Sequence, residues 1–148
     1  MKFTSIPIQV AGLLVTAALI AGLASGCGSK TNSAAAQAAT NAAEKWLGEV
    51  DKGQYAQSWQ AASAYFQNAV SEQKWESSMV TFRKPLGGLE SRHLDSAQFA
   101  TDLPGAPDGK YVVMKFDTSF ANKKSAIETV TFMLEKDGQW KVAGYFIK

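Results

Sequence analysis

The spacing of apolar residues changes character once along this chain, and the change falls between Pro85 and Leu89. Before it, large apolar side chains recur at helical intervals: Ala39, Ala43, Trp46, Leu47 and Val50, then Tyr55, Trp59 and Ala62, then Trp75, Met79 and Phe82. After it they alternate with polar residues, in runs separated by turn residues. The first period buries one stripe of a helix and the second buries one face of a strand. Helices followed by an antiparallel meander predict an α+β domain, with the N-terminal helices packed on one face of a curved sheet.

Local signals place the elements. Asp51-Lys52-Gly53 ends the first helix, Ser71 caps the third, and Pro85 with Gly87-Gly88 closes the helical half. A strand is predicted over Leu89 to Ala100, followed by the Pro- and Gly-rich loop "TDLPGAPDG". The runs "KYVVMKFDTSF", "SAIETVTFMLEK" and "QWKVAGYFIK" complete the sheet. Asp137-Gly138 between the last two is a hairpin signal. No internal repeat is visible.

The N-terminus reads as an export signal. From Val10 to Ala24 there is no charge, yet the run is shorter than the roughly twenty residues a membrane-spanning helix needs. Small residues follow, and then Cys27, the only cysteine in the chain. A lone thiol forms no internal disulfide. "LASGC" resembles the lipobox of bacterial lipoproteins, although Ala24 occupies the place where leucine is usual. The resemblance implies cleavage before Cys27, diacylglycerol on its sulfur and usually a further acyl chain on its amine. Residues 1–26 are then the signal, 27–33 the acylated cysteine and tether, and 34–148 one domain. Several acyl chains anchor stably where a single one is marginal. The protein is expected to be exported and to face the periplasm or the cell surface. Gly28 after the cysteine, in place of aspartate, implies sorting to the outer membrane where the host has one.

Charge excludes some partners. Fifteen Lys and Arg stand against 13 Asp and Glu, which leaves no basic footprint for nucleic acid. Phosphate-cradling glycine motifs and a G-x-S-x-G elbow are absent. His93 is the only histidine and lies between Arg92 and Asp95 in a strand, as a surface residue would. The carboxylates are spread without ligand spacing, so neither a metal nor another cofactor is expected.

Glu128 stands apart. Alternation puts it on the same face as Val130, Phe132 and Leu134, facing Val112, Met114, Phe116 and Phe120 of the preceding strand and Trp140, Val142 and Phe146 of the last. A carboxylate there must be paired or must sit at a pocket mouth. Pairing with Arg83 or Arg92 is the structural expectation. The functional one makes it a base or ligand anchor. The opposite face carries Tyr111, Val113, Ile127, Met133, Tyr145 and Ile147, more apolar than solvent requires. Either a helix covers it or it is a surface for a homodimer or envelope partner.

The segments "WLGEVDKGQYAQSW", "RKPLGGLESR", "LPGAPDGKYVVMKFDTSFANK" and "AIETVTFMLEKDGQWKVAGYFIK" resemble the bacterial family known as domain of unknown function 4019, from about Ala42 to Lys148. That family brings no assigned catalytic residues. The element order is also similar to the nuclear-transport-factor-2-like or cystatin-like roll, whose members include enzymes and pure binding domains. The expected function is a lipid-anchored envelope protein acting as a non-enzymatic binding or assembly module. The alternative is a small pocket enzyme of isomerase or dehydratase type, with Glu128 as base and Tyr145 or Tyr65 as donor.

Overall fold

Alanine-rich sequence with apolar residues at helical spacing forms one long helix, α1, Gly28–Asp51, in the computed structural model, which describes residues 28–148. Residues 1–26, expected as the signal, and Cys27 lie outside the described residues. Ala39, Ala43, Trp46, Leu47 and Val50 make the buried stripe of α1. The stretch from Gly28 to Ser33, expected as a tether, is helical. Once the packed part has nucleated a helix, each added residue costs little, and alanine elongates it readily. Asn32, Ser33 and Ala34 remain exposed, and burial begins at Ala35 and Ala36.

Three shorter helices follow: α2, Tyr55–Gln60; α3, Ala64–Ala69; and α4, Glu72–Phe82. Ser63 and Ser71 cap α3 and α4, each side chain accepting the N–H three residues on, from Phe66 and Lys74. Trp75 and Met79 are buried as the helical spacing predicts, but Phe82 is 43% exposed. α4 ends there, and the next residue, Arg83, turns inward in its place. A single 3-10 turn, Lys84–Leu86, leads to Gly87, whose φ of 81° favours glycine and where an added Cβ would crowd Ala121 Cβ at 3.0 Å.

Four strands, β1 (Leu89–Ala100), β2 (Tyr111–Phe120), β3 (Lys123–Leu134) and β4 (Trp140–Ile147), pair antiparallel in the order β1-β2-β3-β4. All four contact α1, so the helical layer lies on one face. The fold is α+β as the periodicity predicts. Gly138, with φ 79°, makes the expected β3–β4 hairpin. The core brings Trp46, Phe66 and Trp75 against Met114, Phe132 and Val142. Its indole N–H groups are satisfied locally: Trp46 Nε1 donates to the Ser58 carbonyl at 2.8 Å and Trp75 Nε1 to Ser58 Oγ at 3.0 Å.

One departure from strict alternation decides the site. Phe132 pairs with Val142 but Thr131 pairs with Gly144, so Ala143 is an extra residue, a β-bulge. Beyond it the faces of β4 exchange. Tyr145 and Ile147, expected on the outer face, lie opposite Val130 and Glu128 on the inner one. Phe146, expected in the core, is 47% exposed on the outside. The exchange favours burial of the residue that carries a hydroxyl, because Glu128 is there to accept its hydrogen bond.

Candidate functional site

The inner face of the sheet ends in a cluster of charges drawn from both layers. Glu128 on β3 is 0% exposed. Its Oε2 accepts from Arg92 Nε at 2.6 Å and Thr118 Oγ1 at 2.8 Å, and its Oε1 accepts from the Tyr145 hydroxyl at 2.5 Å. A buried carboxylate survives when both oxygens are paired and hydrogen-bonded, and here three strands supply the donors. Of the two arginines expected as partners, Arg92 makes the pair and Arg83 does not.

Arg83 reaches the same cluster through a second acid. Asp51, the last residue of α1, takes Arg92 as a two-toothed partner, with Nη1–Oδ2 at 2.7 Å and Nη2–Oδ1 at 3.0 Å. It also accepts from Arg83 Nη2 at 3.0 Å. Arg83 Nη1 donates to the Gly87 carbonyl at 2.8 Å, and its guanidinium lies 4.1 Å from the centre of the Phe120 ring. Two acids and two arginines thus balance in one chain of contacts: Arg83, Asp51, Arg92, Glu128. Burial alone would lower the Arg92 pKa, but its bonds to Asp51 and Glu128 outweigh that and hold it above the ordinary arginine value. Burial, then the negative Glu128, pushes the Tyr145 hydroxyl well above the usual tyrosine range.

Two members of the cluster escaped the sequence reading. Asp51 was legible only as part of a helix break. Its signal is electrostatic: a carboxylate in the last turn opposes the negative end of the helix dipole and calls for cations from elsewhere. Thr118 sits on the inward register of β2, between Phe116 and Phe120, where a hydroxyl needs a partner.

A cavity of about 120 Å³ adjoins the cluster through Tyr145. It lies between α3, the bulged part of β4 and the loop from Thr101 to Lys110. Tyr65 and Tyr111 line it and tie that loop down, the first donating to the Gly105 carbonyl at 3.1 Å and the second to the Pro107 carbonyl at 2.5 Å. Glu128 does not line it. A shallower groove between Asn32 to Ala36 and Ala97 to Phe99 is open to solvent.

The remaining expected residues separate. Val113 and Met133 are half-buried on the outer face and Ile127 is 43% exposed there. His93 is exposed, in register with Asp117. Among the described residues no group of His, Cys, Asp and Glu is placed to hold a metal ion, and no helix is long and apolar enough to cross a membrane.

Fold and cluster define a two-layer α+β domain locked by a buried ion network. The family model described as "Protein of unknown function (DUF4019)" matches residues 42–145. The chain belongs to that family. Among proteins of curated function, none matches it. The matched span takes in the whole network, from Asp51 to Tyr145.

Proposed function

We propose that this protein is a lipid-anchored component of the bacterial cell envelope whose domain binds or assembles, and does not catalyse. The observation that carries the second half is the commitment of Glu128 and of the three tyrosine hydroxyls around the cavity. Glu128 is held by Arg92, Thr118 and Tyr145, and the hydroxyls of Tyr65, Tyr111 and Tyr145 each donate to a protein oxygen. General acid–base chemistry needs a group free to reach substrate. The order of helices then meander also fits the nuclear-transport-factor-2-like or cystatin-like roll, where many members serve as binding domains.

Support for the anchor comes from the "LASGC" stretch. Mass spectrometry of the native N-terminus tests it: a mature chain that starts at Cys27 and carries acyl mass is expected. A chain that starts elsewhere without acyl mass would sink the proposal. Outer-membrane fractionation is expected where the host has two membranes.

A second reading draws on Tyr145, which lines the cavity and touches Glu128. A small isomerase or dehydratase with Glu128 as base and Tyr145 as donor would need that hydroxyl to leave Glu128 and turn toward the cavity. In that case removing the charge of Glu128 leaves stability unchanged or raises it.

A further inference from the structure

We infer that the cavity beneath the 101–110 loop is a binding site for a small, neutral, single-ring molecule. The inference rests on the binding-module reading and gives that module a ligand class. Size sets the first limit. About 120 Å³ is close to the roughly 150 Å³ of an engineered apolar cavity that takes up benzene in another protein. One ring fits, and two do not.

Chemistry sets the second. Phe66, Leu103, Ala106 and three tyrosine rings dominate the wall, and no charged side chain contributes to it. An ionic ligand would lose its hydration with nothing in return. With the tyrosine hydroxyls engaged, the polar side chain left on the wall is Thr131. It faces the bulge, beside Gly144. A ligand with one hydroxyl or carbonyl on its ring satisfies it.

The loop makes the site closable. Leu103 and Ala106 form the roof, held at Gly105 and Pro107 by the two tyrosine hydroxyls. Gly109 lies 3.3 Å from the Tyr111 ring at its Cβ position, which lets the backbone cross close over that ring.

The test uses 4-fluorophenol added to the full lipoprotein in lipid nanodiscs, with alanine methyl signals read by NMR. Saturable shifts are expected at Ala69, Ala106 and Ala143, which line the cavity, and none at Ala39 and Ala43 on α1. Ala106→Phe, a change in the roof, should fill the space and weaken binding at least about tenfold with an unchanged melting temperature. Thr131→Val should weaken 4-fluorophenol but leave fluorobenzene unaffected. Equal response to anionic 4-fluorobenzoate, undiminished binding by Ala106→Phe, or shifts spread equally to Ala39 and Ala43 would overturn the site. So would the absence of saturable shifts. Acyl mass and membrane fractionation of the same preparation read the anchor separately, so loss of the ligand site and loss of the anchored reading are told apart.

Discussion

The Tyr145 hydroxyl sits 2.5 Å from Glu128 Oε1, so the last strand of the sheet closes onto a carboxylate that two other strands already hold. Tyr145 serves three neighbours at once. Its ring packs edge-on against Trp46 at 5.3 Å and Trp75 at 6.1 Å, and it forms part of the cavity wall.

Glu128→Gln keeps shape but removes the charge that balances Arg92. Breaking a buried pair by removing one partner costs about 3–5 kcal/mol. Denaturant unfolding should show a loss of that size, and a double-mutant cycle with Arg92→Gln should reveal strong coupling. Arg83→Gln should couple to Glu128 only weakly, since Asp51 and Arg92 stand between them. A Glu128→Gln protein more stable than wild type would move the enzyme reading to first place.

Asp51→Asn should couple to both arginines, because Asp51 bonds to each. The uncoupled part of its effect should be smaller than that of Glu128→Gln. Asp51 is partly exposed, and its carboxylate also sits unfavourably at the helix C-terminus.

Tyr145→Phe leaves Glu128 Oε1 without its donor and should cost about 1–3 kcal/mol. It should also change the alkaline limb of the stability curve. The folded-state pKa of Tyr145 is raised above the ordinary 10.0, so above pH 10 the unfolded chain ionises while the folded one resists. This stabilisation is complete below pH 10 and is lost as pH rises toward the folded value. Wild-type melting temperature should therefore fall above pH 10 more steeply than that of Tyr145→Phe. Tyr111, raised by burial, contributes in the same window and leaves the variant some residual slope.

On the outer face, Ile127→Lys should alter thermal stability by no more than about 0.5 kcal/mol, because the side chain is already exposed. Sedimentation of the wild-type protein should show a concentration-dependent dimer that this change weakens. A monomer at every accessible concentration would refute self-association through Ile127 and Phe146.

Most of the fold was legible because burial follows period. The α1 stripe, the Ser71 cap, all four strands and the Asp137-Gly138 hairpin come from spacing and turn chemistry alone. Glu128 was legible for the same reason, as the one carboxylate that alternation turns inward among large apolar residues. The choice between Arg83 and Arg92 was not, because both lie near the start of β1 and only the registers put Arg92 beside Thr118 and Glu128. The bulge at Ala143 left no mark in the pattern either: "VAGYFI" alternates plausibly in both phases, and the packing of Tyr145 against two tryptophans decides between them.

The reach of the ion network has a consequence in time as well as in energy. Its members come from α1, the end of α4 and all four strands, with Asp51 and Tyr145 near opposite ends of the domain sequence. With partners this far apart in sequence, the complete network is expected to close late in folding. Interactions absent from the transition state leave the folding rate almost untouched and act on the unfolding rate. The cluster is therefore expected to act as a latch, slowing the opening of the domain more than it speeds its formation.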